Sequence, residues 1–318
     1  MKCIRPIYAG FNFQGEIVFR DRERDKGVEP FQFDCRKCLP CRLNIAREKA
    51  IRAVHEAKTH KGNIFLTLTY NDESLVSEKL IYEDFQNFMK SLREKTTRGI
   101  TDKELKDELH ISYMVTGEYG EKTKRPHWHA ILFNYYPKDA KYHYTTDHGE
   151  KVFTSEEIDA IWKKGNTEFG SVTMDSAGYV ARYAAKKLVH GKDEEHDYHP
   201  IHKTSSKRAI GRSWIEKYHK HVFDHGYIVL PNGEKAGIPR YYTDWYKKNY
   251  PDKYESYIKT KREETIARAQ ESQRREELEY LSQLFNRRFG APQIQTRQNV
   301  KLRCLEKKFE KLQERLKI

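Results

Sequence analysis

Two hydrophobic periods alternate between residues 60 and 190. Ile64 to Tyr70 (IFLTLTY) is β-branched and aromatic, which predicts a buried strand. Ile81, Phe85, Phe88, Met89 and Leu92 then recur at helical spacing. Ile111 to Thr116 predicts a second strand, Glu118 to Pro126 a Gly- and Lys-containing turn, and His127 to Phe133 a third strand. Thr154-x-x-Glu157 reads as a capping box for a helix through Ile158, Ile161 and Trp162 that stops at Gly165. Glu168 to Met174 predicts a fourth strand, and Asp175 or Ser176 would cap a last helix running to about Val189. The order is β-α-β-β-α-β plus a helix. It predicts an α+β fold of the ferredoxin-like split type, an antiparallel sheet with helices on one face and the other free for a ligand.

Outside this core the pattern changes. Residues 1–59 are irregular and Cys-rich until a basic helix runs from Arg42 to about Lys58. Residues 191–251 are basic and rich in His and Tyr, without clear periodicity. In residues 252–318, Leu278, Leu281 and Phe285, and then Leu302, Leu305, Phe309, Leu312 and Leu316, recur three and four apart. They predict a helical tail folded as a hairpin that docks on the core or pairs with another chain.

Composition narrows the function. The 318 residues carry 60 Lys+Arg against 47 Asp+Glu, a net charge of +13, with 21 Tyr and 15 Phe. An aromatic-rich chain argues against disorder, and a basic surplus with many aromatics points to nucleic acid rather than a neutral metabolite. No apolar run approaches the ~20 residues that span a bilayer, and the start MKCIRPIYAG lacks the apolar stretch of a secretion signal. Three of five cysteines lie in Cys35-x-x-Cys38-x-x-Cys41, which reads as metal ligands rather than disulfides, with Cys3 completing a Zn²⁺ set.

Two further constellations carry chemistry. In a strand, His127 and His129 share one face and can hold one cation together with Glu118 from the preceding strand. Two imidazoles and a carboxylate suit Mg²⁺ or Mn²⁺, and Zn²⁺ also accepts them. A His-x-His pair alone is weak, since 14 His supply about 0.6 such pairs by chance and a second exists at His219 and His221. Context separates the first pair, because Ala130-Ile-Leu-Phe133 continues it as an apolar strand. On a helix, Tyr179, Tyr183 and Lys186 fall within roughly 60° of one another, opposite Ala177, Val180, Ala181 and Ala184. The small residues form a packing face, which leaves the tyrosines available as nucleophiles and Lys186 to stabilise a phenolate. Tyr242, Tyr246, Tyr250 and Tyr254 repeat similarly without an opposite apolar face and read as docking or stacking surface. Arg36, Arg42 and Arg47 beside the cysteines, Arg125 before the His pair, Arg182 between the tyrosines, and Lys207 and Arg208 are candidate DNA-phosphate contacts.

Taken in order, Phe65-Leu-Thr-Leu-Thr-Tyr70, Gly117-Glu118-Tyr-Gly, Arg125-Pro-His-Trp-His129-Ala and Tyr179-x-x-x-Tyr183-x-x-Lys186 resemble the His-hydrophobic-His (HUH) endonucleases that initiate rolling-circle replication. The paired tyrosines match the two-tyrosine branch. With the cysteine cluster, the chain is most similar to the replication initiators of the gokushovirus branch of the microviruses. The resemblance covers about residues 35–190, and Arg182 and Lys187 depart from it as extra cations beside the tyrosines. It implies nicking of viral origin DNA, single-stranded or supercoiled, through a 5′-phosphotyrosyl link that leaves a 3′-OH primer. It also implies religation of the displaced strand, host helicase and polymerase as partners, and the bacterial host cytoplasm as location. The alternatives are a relaxase or transposase of the same chemistry, or a non-catalytic single-strand-binding protein with an exposed aromatic sheet.

Overall fold

A computed structural model describes residues 3–28, 30–120, 123–186, 201–205, 207–285 and 297–315. It divides into two compact units, Met1–Gly211 and Arg212–Ile318. In the first, β1 (Ile7–Phe11), β2 (Ile17–Val18) and β3 (Phe31–Phe33) form a small sheet in the order β2-β1-β3. Helix α1 (Leu39–Ala57) starts earlier than its periodicity predicts, because Pro40 fits the first turn, where its missing N–H has no partner to lose.

Strand β4 (Asn63–Thr69) buries Ile64, Leu66 and Leu68 on one face. Helix α2 (Tyr82–Thr97) covers that face with Phe85, Phe88, Met89 and Leu92. After the short α3 (Lys103–Glu108), β5 (Ser112–Tyr119) and β6 (Pro126–Phe133) pair as an antiparallel hairpin. Strand β5 is longer than its sequence signal, so Glu118 lies in the strand and not in the turn. Strands β7 (Lys141–Thr145) and β8 (Lys151–Thr154) form a second hairpin. Helix α4 (Glu156–Trp162) is capped by Ser155, whose Oγ accepts from Ile158 N–H at 3.2 Å; the predicted cap was its neighbour Thr154.

The fourth predicted strand is shorter than expected. It ends as β9 (Thr167–Gly170), and Met174 already belongs to α5 (Met174–Lys186). The reason is a reciprocal cap: Ser176 N–H donates to Thr173 Oγ1 at 3.1 Å, and Thr173 N–H to Ser176 Oγ at 2.8 Å. Thr173 thus opens the helix, in place of Asp175 or Ser176. The final stretch of the helix predicted to reach Val189 lies outside the described residues. Strand β10 (Ile201–Thr204) completes the sheet.

The sheet has seven strands in the order β10-β5-β6-β4-β9-β8-β7, every neighbouring pair antiparallel, where the pattern predicted four. Its centre, β5-β6-β4-β9, comprises the four predicted strands. The expected free face does not exist: α2 and α4 cover one side, while α1 and α5 pack Ala46, Ala50, Ala53, Ala177, Val180 and Ala181 against Met114, Ile131 and Phe133 on the other. Strands with apolar residues on both faces require two covering layers.

Gly117 shows how closely the centre is packed. It sits opposite Trp128, and a Cβ there would lie 2.6 Å from Trp128 Cζ3 and 2.9 Å from Leu80 Cδ2. Gly117→Ala is therefore expected to cost about 1–3 kcal/mol, as overpacking does, read as a lower urea midpoint at unchanged slope.

In the second unit, α6 (Arg212–His225) leads to a hairpin of β11 (Ile228–Val229) and β12 (Lys235–Ala236). Helices α7 (Arg240–Asn249) and α8 (Pro251–Tyr257) follow. A π-helical stretch, Ile258–Arg262, joins α8 to α9 (Glu263–Phe285), and α10 (Arg297–Arg315) ends the described chain. The tyrosine repeat is partly core: Tyr242 stacks on Trp214 at 5.6 Å and Tyr246 on Phe223 at 3.8 Å. His219 and His221 lie two apart on a helix, so they point to different sides and cannot share a cation. Both tail segments are helical, with Lys301 of α10 ion-paired to Glu276 of α9, while Leu316 lies outside the described residues. Among the described residues, no helix is long and apolar enough to cross a membrane.

Candidate functional site

Strand register assembles the first candidate centre. Glu118 of β5 stands opposite His127 of β6, and His129 stands between Thr116 of β5 and Thr67 of β4. Trp128, between the histidines, points to the other face and is fully buried under α2. The two imidazoles and Glu118 therefore share the face covered by α5. Glu118 Oε1 lies 2.9 Å from His129 Nε2 and 3.6 Å from His127 Nε2. All three potential ligand atoms fall within 4.8 Å of one another.

Helix α5 closes the group from above. Its small residues seat it on α1, and Tyr179 points to the sheet. The Tyr179 hydroxyl donates to Glu118 Oε1 at 2.9 Å and lies 3.3 Å from His129 Nε2. The Tyr179 ring meets His129 edge-on at 5.0 Å, and Phe65 lies parallel to His129 at 5.7 Å. The helix backbone also carries Tyr183 and Lys186, whose side chains lie outside the described residues, as do Glu121 and Lys187.

Both histidines are oriented through their far nitrogens. His129 Nδ1 is 3.0 Å from Thr67 Oγ1, and His127 Nδ1 is 3.2 Å from the Arg125 carbonyl. Each ring thus turns Nε2 towards Glu118. Burial raises the Glu118 carboxyl, but hydrogen bonds and charge from His127 and His129 outweigh it and hold the group well below the ordinary carboxylate range. Burial pushes His129 down, opposed by Glu118. A carboxylate oxygen and imidazole nitrogens this close repel unless a proton or a cation lies among them. Their donor chemistry fits a divalent cation.

The second candidate centre is the cysteine cluster. Cys3, Cys35, Cys38 and Cys41 bring their sulfurs within 4.8 Å of one another. All four are free thiols, and the Cys3 and Cys38 sulfurs, 3.8 Å apart, are far from disulfide distance. Arg36 adopts the left-handed conformation (φ 58°), which folds the loop between Cys35 and Cys38 back on itself. Backbone N–H groups point at the sulfurs: Arg5 and Cys35 donate to Cys3 Sγ at 3.4 and 3.3 Å, and Cys38 donates to Cys35 Sγ at 3.3 Å. Burial raises Cys35, but the amides of Cys38 and Lys37 outweigh it and bring the thiol down to about 6. Burial pushes Cys41 and Cys3 up. Four converging sulfurs with amide donors around them fit a tetrahedral thiolate site. Cys304 is exposed on α10, far along the chain from this cluster.

The candidate DNA contacts belong to separate segments. Arg36, Arg47, Lys207 and Arg208 are exposed, the last 3.4 Å from Asp107. Arg42 and Arg182 are half-buried. Arg125 holds the start of β6 to the end of β4, donating to the Tyr70 carbonyl at 2.9 Å and pairing with Asp72. Thr67 and Phe65 had no role assigned from sequence beyond the strand that contains them. Their signal was its alternation, which puts Phe65 and Thr67 on the face of the His pair once β4 is known to lie beside β6.

Comparison with known proteins gives consistent matches. The profile of the family Replication-associated protein ORF2 matches residues 63–188, from the first residue of β4 to just beyond α5. Replication-associated protein VP4 of Bdellovibrio phage phiMH2K is 55% identical over 321 residues, spanning 100% of both chains. Replication-associated protein ORF2 of Spiroplasma virus 4 is 30% identical over 84% of this chain and 88% of its own length. Replication-associated protein ORF4 of Chlamydia phage 1 is 32% identical over 69% of this chain and 54% of its own. No solved structure matches the chain.

Proposed function

The chain belongs to the replication-associated proteins of microviruses, and from that premise we propose that it initiates rolling-circle replication by nicking origin DNA through tyrosine transesterification. The observation that carries this reading is the Tyr179 hydroxyl, 2.9 Å from Glu118 and 3.3 Å from His129. It places a nucleophile beside three converging metal-ligating side chains. The central strand order β5-β6-β4-β9 is that of a ferredoxin-like split sheet and supports an HUH endonuclease core.

His127, His129 and Glu118 would hold Mg²⁺ or Mn²⁺. Such an ion supplies Lewis-acid polarisation of the scissile phosphate and charge neutralisation as it is attacked. Thr67 and the Arg125 carbonyl keep the imidazole Nε2 atoms turned inwards. Tyr179 Oη attacks phosphorus and gives up its proton, the phosphorus bond to the 3′ oxygen breaks, and that oxygen takes a proton and leaves as a 3′-OH. The new 5′-phosphotyrosyl diester conserves the bond, so no nucleotide triphosphate is needed. Lys186 would stabilise the phenolate. Tyr183, one helical turn on, would cut the regenerated origin and let the freed 3′-OH reseal the displaced strand. The primer passes to a host polymerase and helicase.

Oligonucleotides from the source replicon, labelled at either end and incubated with Mn²⁺, test this directly. The 3′ label is expected to travel with the protein through boiling detergent, while the 5′-labelled fragment is released and extendable by a polymerase. A 5′ label on the protein would contradict the proposed polarity. Thr67→Val, nearly isosteric, is expected to weaken Mn²⁺ binding about 10–100-fold, the usual effect of losing a partner behind a metal ligand, measured by calorimetry.

Zn²⁺ is the ion proposed for Cys3, Cys35, Cys38 and Cys41. Protein purified without chelators is expected to contain one zinc per chain at this cluster. Cys41→Ser should lose that zinc and lower the melting temperature, as removal of a structural zinc does.

A further inference from the structure

A cavity of about 510 Å³ opens beside the His-Glu-Tyr group, within the size range of small-ligand sites. Phe65 and Thr67, which contact His129, line one side; Tyr144 and the tip of the β7–β8 hairpin line the other. Glu168 stands at the join. In the sheet register it lies opposite Thr67, which lies opposite His129, so the three form one row across neighbouring strands. Two strand spacings separate Glu168 from His129 at the backbone, about 10 Å, within reach of a nucleotide next to a phosphate held at the His pair.

We propose that this cavity receives a base of the DNA strand flanking the scissile phosphate, and that Glu168 selects a base bearing an amino group over thymine. This rests on the DNA-cleaving reading above and adds where sequence is read. A carboxylate repels a phosphate, so the group that enters is a base and not the backbone. Phe65 and Tyr144 offer aromatic surface for it, as single-strand readers do. The Tyr144 hydroxyl donates to Glu168 Oε2 at 3.1 Å, and His143 Nε2 lies 3.9 Å from Oε1. This fixes the carboxylate while lone pairs remain to accept from the exocyclic amine of cytosine, adenine or guanine. Thymine would set its carbonyl oxygens against the carboxylate.

The test uses the full chain and a pool of random single-stranded oligonucleotides, sequencing the bound and the covalently attached fractions. In the wild type one position is expected to be depleted of thymine about tenfold, the scale of one good base contact. Glu168→Gln, isosteric and still able to accept from Tyr144, should bring that depletion to within about twofold and leave preferences at other positions intact. Glu168→Asp should fall between the two. The inference is overturned by a thymine-depleted position that persists unchanged in Glu168→Gln, or by no such position in the wild type. Failure of the underlying reading shows separately, as bound DNA without any covalent fraction.

Discussion

Tyr179→Phe is expected to slow formation of the covalent protein–DNA adduct by at least about 10³-fold, because it removes the nucleophile and nothing can replace it within the group. The change deletes one oxygen. The ring that packs on His129 and Phe65 remains, so folding and Mn²⁺ binding should stay within about twofold of wild type. Single-turnover cleavage of a labelled oligonucleotide measures the loss, and calorimetry the retained metal affinity. Tyr183→Phe is the contrasting variant. It should keep the first cut and lose strand joining, since joining requires a second nucleophile on the same helix. Equal loss of the first cut in both variants would overturn the division of labour.

Glu118→Gln carries the second large effect. The Glu118 carboxylate is the point on which His127, His129 and Tyr179 converge, and the amide keeps its shape while removing its charge. Divalent-cation affinity is expected to fall by more than about 100-fold, exceeding the loss from a partner behind a ligand. Cleavage should fall by about 10³-fold at fixed Mn²⁺ and recover in part as Mn²⁺ is raised. Binding of single-stranded DNA without cleavage should persist, because phosphate contacts elsewhere do not depend on Glu118. Retention of wild-type Mn²⁺ affinity would remove Glu118 from the ligand set.

The legible part of this site follows from short-range periodicity. Alternation in a strand is enough to put His127 and His129 on one face and Trp128 on the other, and helical spacing is enough to separate Tyr179 from its packing residues. Thr67 is different. Its contact with His129 depends on β4 pairing with β6 in one register, a long-range fact absent from local pattern. The second covering layer was hidden for a related reason. Helices α1 and α5 pack through alanines, which give a weak hydrophobic stripe although they allow close approach. Strands β7 and β10 escaped notice because neither shows alternation: KYHYT is exposed throughout, and IHKT is short and polar. Tyr242 and Tyr246 carried the opposite ambiguity, since tyrosines at helical spacing serve equally as surface or core until Trp214 and Phe223 are seen against them. In the cysteine cluster, three sulfurs were close in sequence, whereas Cys3 joins them only through the fold of the N-terminal sheet.

The most direct measurement identifies the residue that carries the DNA. Arg182 separates the two tyrosines, so trypsin places Tyr179 in the peptide Gly165–Arg182 and Tyr183 in the peptide Tyr183–Lys186. Adduct formed in a single turnover with Mn²⁺, trimmed with nuclease and analysed by mass spectrometry, is expected to carry a nucleotide through a phosphotyrosyl bond on the Tyr179 peptide. A nucleotide on neither peptide, with the adduct intact, would contradict tyrosine transesterification at this site.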